Sequence, residues 1–170
     1  MPNWCYNSIT ISHDDPAMIK RIVEHSKAPL QELIPCPHDP ETSDKWYDWR
    51  IKNWGTKWDI ELHSVYNYDD NTISCAFDSA WSPPIEAYNK LTAMGFRISA
   101  LYREMGMGFA GRYESTSEGE IIEENAIIEF SSEAWAEDMS DELSDFLEDE
   151  YQNWLAYTNE EAMEKTNDAA

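Results

Sequence analysis

Residues 82–104, SPPIEAYNKLTAMGFRISALYRE, decide the fold. Ser82 and two prolines mark the start of a helix, and Gly95 marks its end, because glycine enters the left-handed conformation that closes many helices without steric cost. FRISALYRE then reads as a strand. Just upstream, KWDIELHSVYNY and NTISCAFDSAW flank Asp69-Asp70-Asn71. That tripeptide is rich in turn-forming side chains, so the pair is expected to form a β-hairpin.

Nearer the start, NSITIS alternates Ile9 and Ile11 with polar residues, the period of a short strand. HDDPAMIKRIVEHS comes next, with Asp14 or Asp15 as N-cap, Pro16 in the first turn, and Met18, Ile19, Ile22 and Val23 as an apolar stripe. The proline-rich run APLQELIPCPHDPETSD reads as a loop. The order is therefore β-α-β-β-α-β, the split βαβ of a ferredoxin-like α+β sheet with two helices on one face. GFAGRYEST and GEIIEENAIIEF, separated by Ser117 to Gly119, extend that sheet by two strands. From Ser132 to Glu164 the chain reads as a C-terminal helix, with Trp135, Met139, Leu143, Phe146, Leu147, Trp154 and Leu155 turned to the body. Residues 1–116 are expected to form the ferredoxin-like domain, and 117–170 an extra strand and acidic helical extension packed on it.

The 170 residues are 42 % hydrophobic, with eight Trp and nine Tyr, which excludes a disordered acidic tail. No apolar run is long enough to span a bilayer, and MPNWCYNSITIS lacks the basic region and apolar core of a secretory signal. A cytoplasmic setting, in a host cell, is expected. Cys5, Cys36 and Cys75 are odd in number and far apart, so reduced, partly buried thiols are expected instead of a disulfide framework.

WYDWRIKNWGTKWD places four Trp between Trp46 and Trp58, interleaved with Arg50, Lys52 and Lys57. Aromatics among bases can stack on single-stranded nucleic acid. Here Asp44, Asp48 and Asp59 cancel the bases, and burial of Trp with its N–H satisfied is the favoured reading. This segment, together with MPNWCYNSITIS, LIPCP, SAWSPPIEAYNKL and GMGFAGRYE, resembles the YubB-type ferredoxin-like domain family of phage and plasmid genomes, over about residues 1–116. The resemblance implies the same fold and a mobile-element origin, and it brings no assigned chemistry.

Catalytic and cofactor motifs are weak. GMGFAG, Gly106 to Gly111, fits G-x-G-x-x-G, but a dinucleotide fingerprint needs a helix after it and RYEST has strand character. The glycines are expected to serve a turn or bulge. CPHDPE offers Cys36, His38, Asp39 and Glu41 without a second ligand pair at matching spacing, and reads as an exposed loop. No nucleophile elbow is present. No enzyme activity, cofactor or metal site is expected.

Charge is the informative property. The net charge is −22, and it is uneven: residues 1–112 hold 15 acids and 11 bases, whereas 113–170 hold 19 acids and the single base Lys165. Phosphate-backbone binding by the C-terminal third is excluded, because it needs Lys and Arg. From Ser132 to Glu150 a helix of 19 residues would run roughly 28 Å. It would carry Glu133, Glu137, Asp138, Asp141, Glu142, Asp145, Glu148, Asp149 and Glu150. That is about one charge per 3 Å, near the 3.4 Å spacing along one DNA strand. Glu114, Glu118, Glu120, Glu123, Glu124 and Glu129 on the strands before it widen the acidic zone. Solvated helices normally mix signs to relieve repulsion, and this stretch does not. Halophilic acidity would cover the whole surface, and the calcium-loop pattern is missing. The expectation is a non-enzymatic inhibitor that mimics DNA and blocks the groove of a basic, nucleic-acid-binding host protein. A restriction enzyme, CRISPR effector or other defence nuclease is the partner class. Glu133, Glu137, Asp138, Asp141, Glu142, Asp145, Glu148 and Asp149 would form the contact. Direct nucleic-acid or membrane binding is not expected, and the chain would be a monomer or weak homodimer. The alternative is a ferredoxin-like module that uses the Trp-rich segment for nucleic acid or peptide, with the acidic helix covering Arg50, Lys52 and Lys57.

Overall fold

A computed structural model describes residues 3–116, 118–130 and 135–167, with side chains described to Glu160. The elements run β1 (Trp4–Ser12), α1 (Pro16–Glu24), α2 (Pro29–Leu33), α3 (Trp46–Trp54), β2 (His63–Tyr68), β3 (Thr72–Ala80), α4 (Ile85–Ala93), β4 (Arg97–Glu104), β5 (Phe109–Ser115), β6 (Ile121–Ile127) and α5 (Asp141–Asn167). The strands form one sheet in the order β2-β3-β1-β4-β5-β6. Every pairing is antiparallel. The first four strands are the ferredoxin-like unit, and β5 and β6 extend it beside β4.

Strand alternation sorts the sheet into two faces. Ile9, Ile11, Ile73, Cys75, Phe77, Ile98, Ala100 and Tyr102 are buried against Ile19 and Ile22 of α1 and Tyr88 and Leu91 of α4, forming the main core. A buried polar contact fixes α4 to this face: Tyr88 donates to Asn7 Oδ1 at 3.1 Å, and Asn7 Nδ2 donates to Ser79 Oγ at 2.9 Å. Burial pushes the Cys5 thiol up to about 12 and that of Cys75 up to about 11. All three cysteines are free and buried.

The local signals act where expected at α1, whose first turn is capped by Asp15 Oδ1 accepting from the Ala17 amide at 3.0 Å. Asp69, Asp70 and Asn71 turn the β2–β3 hairpin, with the Asp69 amide donating to the Thr72 carbonyl. Two expectations change, at the proline-rich loop and at Ser82, and the Trp-rich segment gains a defined secondary structure. The proline-rich loop contains α2, whose first amides, Leu30 and Gln31, donate to the Asp59 carboxylate at 3.0 and 2.7 Å. The Trp-rich segment is a helix, α3, stopped by Gly55 at φ 78°. Ser82 does not cap α4; its hydroxyl donates to the Gly55 carbonyl at 3.0 Å, tying α3 to the α4 entrance.

The C-terminal helix begins at Asp141, not at Ser132. Trp135 to Asp138 form turns. Ser140 is the reason for the late start. Its hydroxyl accepts from the Leu143 amide at 3.4 Å, and its amide donates to Glu124 Oε1 of β6 at 2.8 Å. A serine that caps the first turn while bonded to a strand fixes where the helix begins.

Candidate partner-binding surface

Helix α5 lies on the sheet face opposite α1 and α4. Leu143 and Leu147 are fully buried with Ala110, beside Leu101, Ala126, Ile128 and Phe146. Two arginines that project from the same face clamp the helix. Arg112 of β5 donates to Glu142 and lies 3.4 Å from Glu124 and 3.7 Å from Glu114. Arg103 of β4 pairs with Glu150 at 2.8 Å, its guanidinium over the rings of Tyr6 and Phe146 at 4.7 and 4.8 Å. Hydrogen bonding to Glu142 raises the Arg112 pKa. Partial burial opposes ionisation of Glu124, yet the hydrogen bonds from Ser140 and the charge of Arg112 outweigh it and lower its pKa.

These clamps divide the expected acidic ribbon. Glu133 lies outside the described residues. Glu137 and Asp138 are exposed, but in the turns before α5 and not on the helix itself. Glu142 and Glu150 are paired with Arg112 and Arg103, Glu150 half-buried and Glu142 still 65 % exposed. Asp141, Asp145, Glu148 and Asp149 remain exposed, with no ion pair among the described residues. Their spacing of three, four and seven or eight residues puts them on one stripe. The four carboxylates span about 12 Å of helix axis, or roughly one per 4 Å. Beyond them the same face carries Gln152, Ala156 and Asn159, with the next acid, Glu160, eleven residues after Asp149. The strip is thus shorter than the 19-residue ribbon read from the sequence, at a spacing close to that expected.

The sequence reading missed Arg103 and Arg112 as clamps. The alternative reading, in which the acidic helix covers Arg50, Lys52 and Lys57, does not hold: α5 lies over Arg103 and Arg112. Arg50 is instead sandwiched between the rings of Trp46 and Trp54, at 5.1 and 4.7 Å. Trp54 is wholly buried and donates its indole N–H to the Ile34 carbonyl at 2.9 Å.

Trp58 behaves differently. It leaves the core to meet Trp4 and Trp81, with ring centroids at 5.8 and 6.4 Å. Trp4, Trp58 and Trp81 are 51, 37 and 42 % exposed. Lys57 sets its ammonium over Trp58 at 4.6 Å and Trp81 at 5.4 Å. At the Trp4 end of this row is an open cavity of about 470 Å³, lined by Trp4, Asp59, Glu61, His63 and Asp78.

The other motifs have structural uses. GMGFAG is the β4–β5 hairpin, and the amides of Gly106 and Met107 both donate to the buried Glu104 carboxylate at 2.7 Å. In CPHDPE the Cys36 thiol donates to the His38 carbonyl at 3.5 Å. Among the described residues no group of three or more His, Cys, Asp or Glu is placed to hold a metal ion. No helix among them is long and apolar enough to cross a membrane.

A family model described as a ferredoxin-like domain in Api92-like protein matches residues 53–147, from the end of α3 to Leu147 in α5. The chain belongs to this family. The match covers β2 to β6, with the first part of α5 that carries Glu142 and most of the region before the acidic strip's end. A crystal structure of a protein api92 from Yersinia pseudotuberculosis is similar over 47 % of this chain, at 20 % identity and a TM-score of 0.38. That similarity spans 29 % of the Yersinia chain, so this chain corresponds to less than a third of it. No curated protein matches.

Proposed function

We propose that the protein is a non-enzymatic binding protein whose acidic strip docks in the basic nucleic-acid groove of a host defence protein, in place of DNA. The observation that carries this reading is the row Asp141, Asp145, Glu148 and Asp149, exposed on one stripe of α5 while the neighbouring Glu142 and Glu150 are taken up by arginines. Two internal clamps hold the helix down, so its outer carboxylates are presented on a fixed element. Fixed charges lose little entropy on docking, and their field steers a basic partner from a distance. Glu137 and Asp138 add to the field from the preceding turn. The resemblance to YubB-type proteins of phage and plasmid genomes supports a defence target such as a restriction enzyme or CRISPR effector, by analogy.

The experiment is capture from host lysate on the immobilised protein, then competition of the captured protein with duplex DNA. The neutralised variant D141N/D145N/E148Q/D149N runs in parallel. The expected result is a DNA-binding protein retained by the native chain, lost on the variant, displaced from DNA, and released steeply as salt rises. Capture that is equal on both chains, or that survives high salt, removes the reading.

A further inference from the structure

The cavity beside Trp4 lies toward the β2–β3 edge of the sheet, whereas the α5 clamps stand on β4 and β5. Its use is separate from that of the acidic strip and does not depend on it. Its wall is an exposed indole, and its rim carries carboxylates. Asp59 is held in place by the amides of Leu30, Gln31 and Ile60 at 2.7 to 3.0 Å. Asp78 has His63 as a neighbour at 3.4 Å and is otherwise open to solvent. Glu61 is exposed, with no ion pair or hydrogen bond among the described residues. A volume of about 470 Å³ falls within the range of small-ligand sites.

We infer that this cavity is a docking site for a guanidinium, the arginine side chain of a basic protein segment. Negative rims exclude phosphate and favour a cation. An indole face attracts a cation through its quadrupole, most strongly when the cation is planar and can lie flat on the ring. A guanidinium on Trp4 can present its N–H fork to Asp78 and Glu61, which an ammonium point charge cannot match in geometry. The chain uses the same chemistry internally: Arg50 lies between Trp46 and Trp54, and Arg103 over Tyr6 and Phe146. On this very row, Lys57 already occupies the Trp58–Trp81 end. The Trp4 end has no cation over it among the described residues, although it has the carboxylates.

The test is a titration of the full chain with N-acetyl-arginine amide, following the indole N–H resonances of Trp4, Trp58 and Trp81. The citrulline analogue, of equal shape without charge, and N-acetyl-lysine amide are the controls. The arginine derivative is expected to shift Trp4 and Trp58 saturably, and the citrulline analogue is not. Both E61Q and E61Q/D78N should weaken binding, the double variant about tenfold, which is 1.4 kcal/mol. Glu61 makes no ion pair or hydrogen bond among the described residues, so E61Q is expected to leave the fold intact, and equal urea midpoints for E61Q and the native chain check this. The strip variant D141N/D145N/E148Q/D149N should bind the arginine derivative as the native chain does, whatever becomes of the acidic-strip reading. The inference is overturned by shifts centred on α5, by affinity unchanged in E61Q/D78N, or by equal or tighter binding of the lysine or citrulline derivative.

Discussion

Arg112 on β5 donates from Nη1 to Oε2 of Glu142 in the first turn of α5, thirty residues further along the chain. The same guanidinium lies 3.4 Å from Glu124 and 3.7 Å from Glu114, so one cation stands among three carboxylates. Its side chain is 22 % exposed, between the regimes of surface and buried pairs. Replacing Arg112 by Met keeps much of the apolar stem and removes the charge, leaving three carboxylates to repel each other. The expected cost is about 2 kcal/mol, above the ~1 kcal/mol of an exposed pair and below the 3–5 kcal/mol of a fully buried one. Urea unfolding measures it, and limited proteolysis should cut near the start of α5 first. A variant as stable and protease-resistant as the native chain would show that the apolar contacts alone dock the helix.

Glu124 gives this joint a pH dependence. Its folded pKa is below the usual carboxylate value, because Ser140 and Arg112 favour the ionised form more than burial opposes it. A lowered folded pKa contributes stability that is present above the unfolded value, about 4.3, and is lost as pH falls through the folded value. The native chain should therefore be more stable than E124Q by about 1.5–3 kcal/mol near pH 6, the range for hydrogen bonds to a charged group. The difference should shrink as pH falls below the unfolded value and close once pH is below the folded one, as Glu124 is protonated. Urea midpoints for both proteins across this range provide the check. A constant difference would assign the effect to packing and not to charge.

The parts of this fold that were legible are those whose cause is local. Asp15 before Pro16, the Asp69-Asp70-Asn71 turn and Gly95 after α4 each act on amides a few residues away, so their meaning survives without tertiary context. Gly95 has φ 93°. Helix α3 was not legible, because WYDWRIKNW has no clean apolar stripe; it is helical because Trp54 is drawn into the core and Gly55 stops the chain there. The start of α5 was obscured for the opposite reason. The acids run on without interruption through the turns, and the residue that sets the boundary, Ser140, takes its amide partner from β6. A count of charges likewise cannot tell Glu142 from Asp145. Which one meets Arg112 depends on the angular position of each on a helix already docked.

Gly111 in β5 tests the close approach of β6. A Cβ there would be 2.4 Å from the Glu124 carbonyl oxygen and 2.4 Å from the Tyr102 hydroxyl. The first is backbone in a paired strand, and the second belongs to a buried ring that bonds to Asn125 at 2.8 Å. Neither can yield cheaply, so Gly111→Ala should cost about 3 kcal/mol, the upper end of ordinary overpacking. Gly119, at φ 79°, has open space where its Cβ would be. Gly119→Ala should cost only the left-handed backbone penalty, about 1–2 kcal/mol. Thermal and urea unfolding of the two variants measure the contrast. Equal losses would mean that β6 shifts to accommodate the methyl group.

The acidic strip should be a burden on the fold that carries it. Asp145 stands four residues from both Asp141 and Asp149 and three from Glu148, giving three like-charge pairs on one stripe. Each such pair destabilises a helix by about 0.2–0.5 kcal/mol. Asp141 is in the first turn, where a negative charge complements the helix dipole, so it is best left in place when stability is measured. D145N/E148Q/D149N removes all three repulsions and should stabilise the protein by about 1 kcal/mol at low salt. The gain should shrink as ionic strength rises and the native repulsion is screened, because these side chains are exposed. Urea unfolding at low and high salt reads both effects. A stabilisation accompanied by loss of partner capture would separate what these carboxylates do for binding from what they cost in folding. Destabilisation at low salt would instead mean that the strip is held by attractions within the chain, and it would no longer be a surface free to meet a partner.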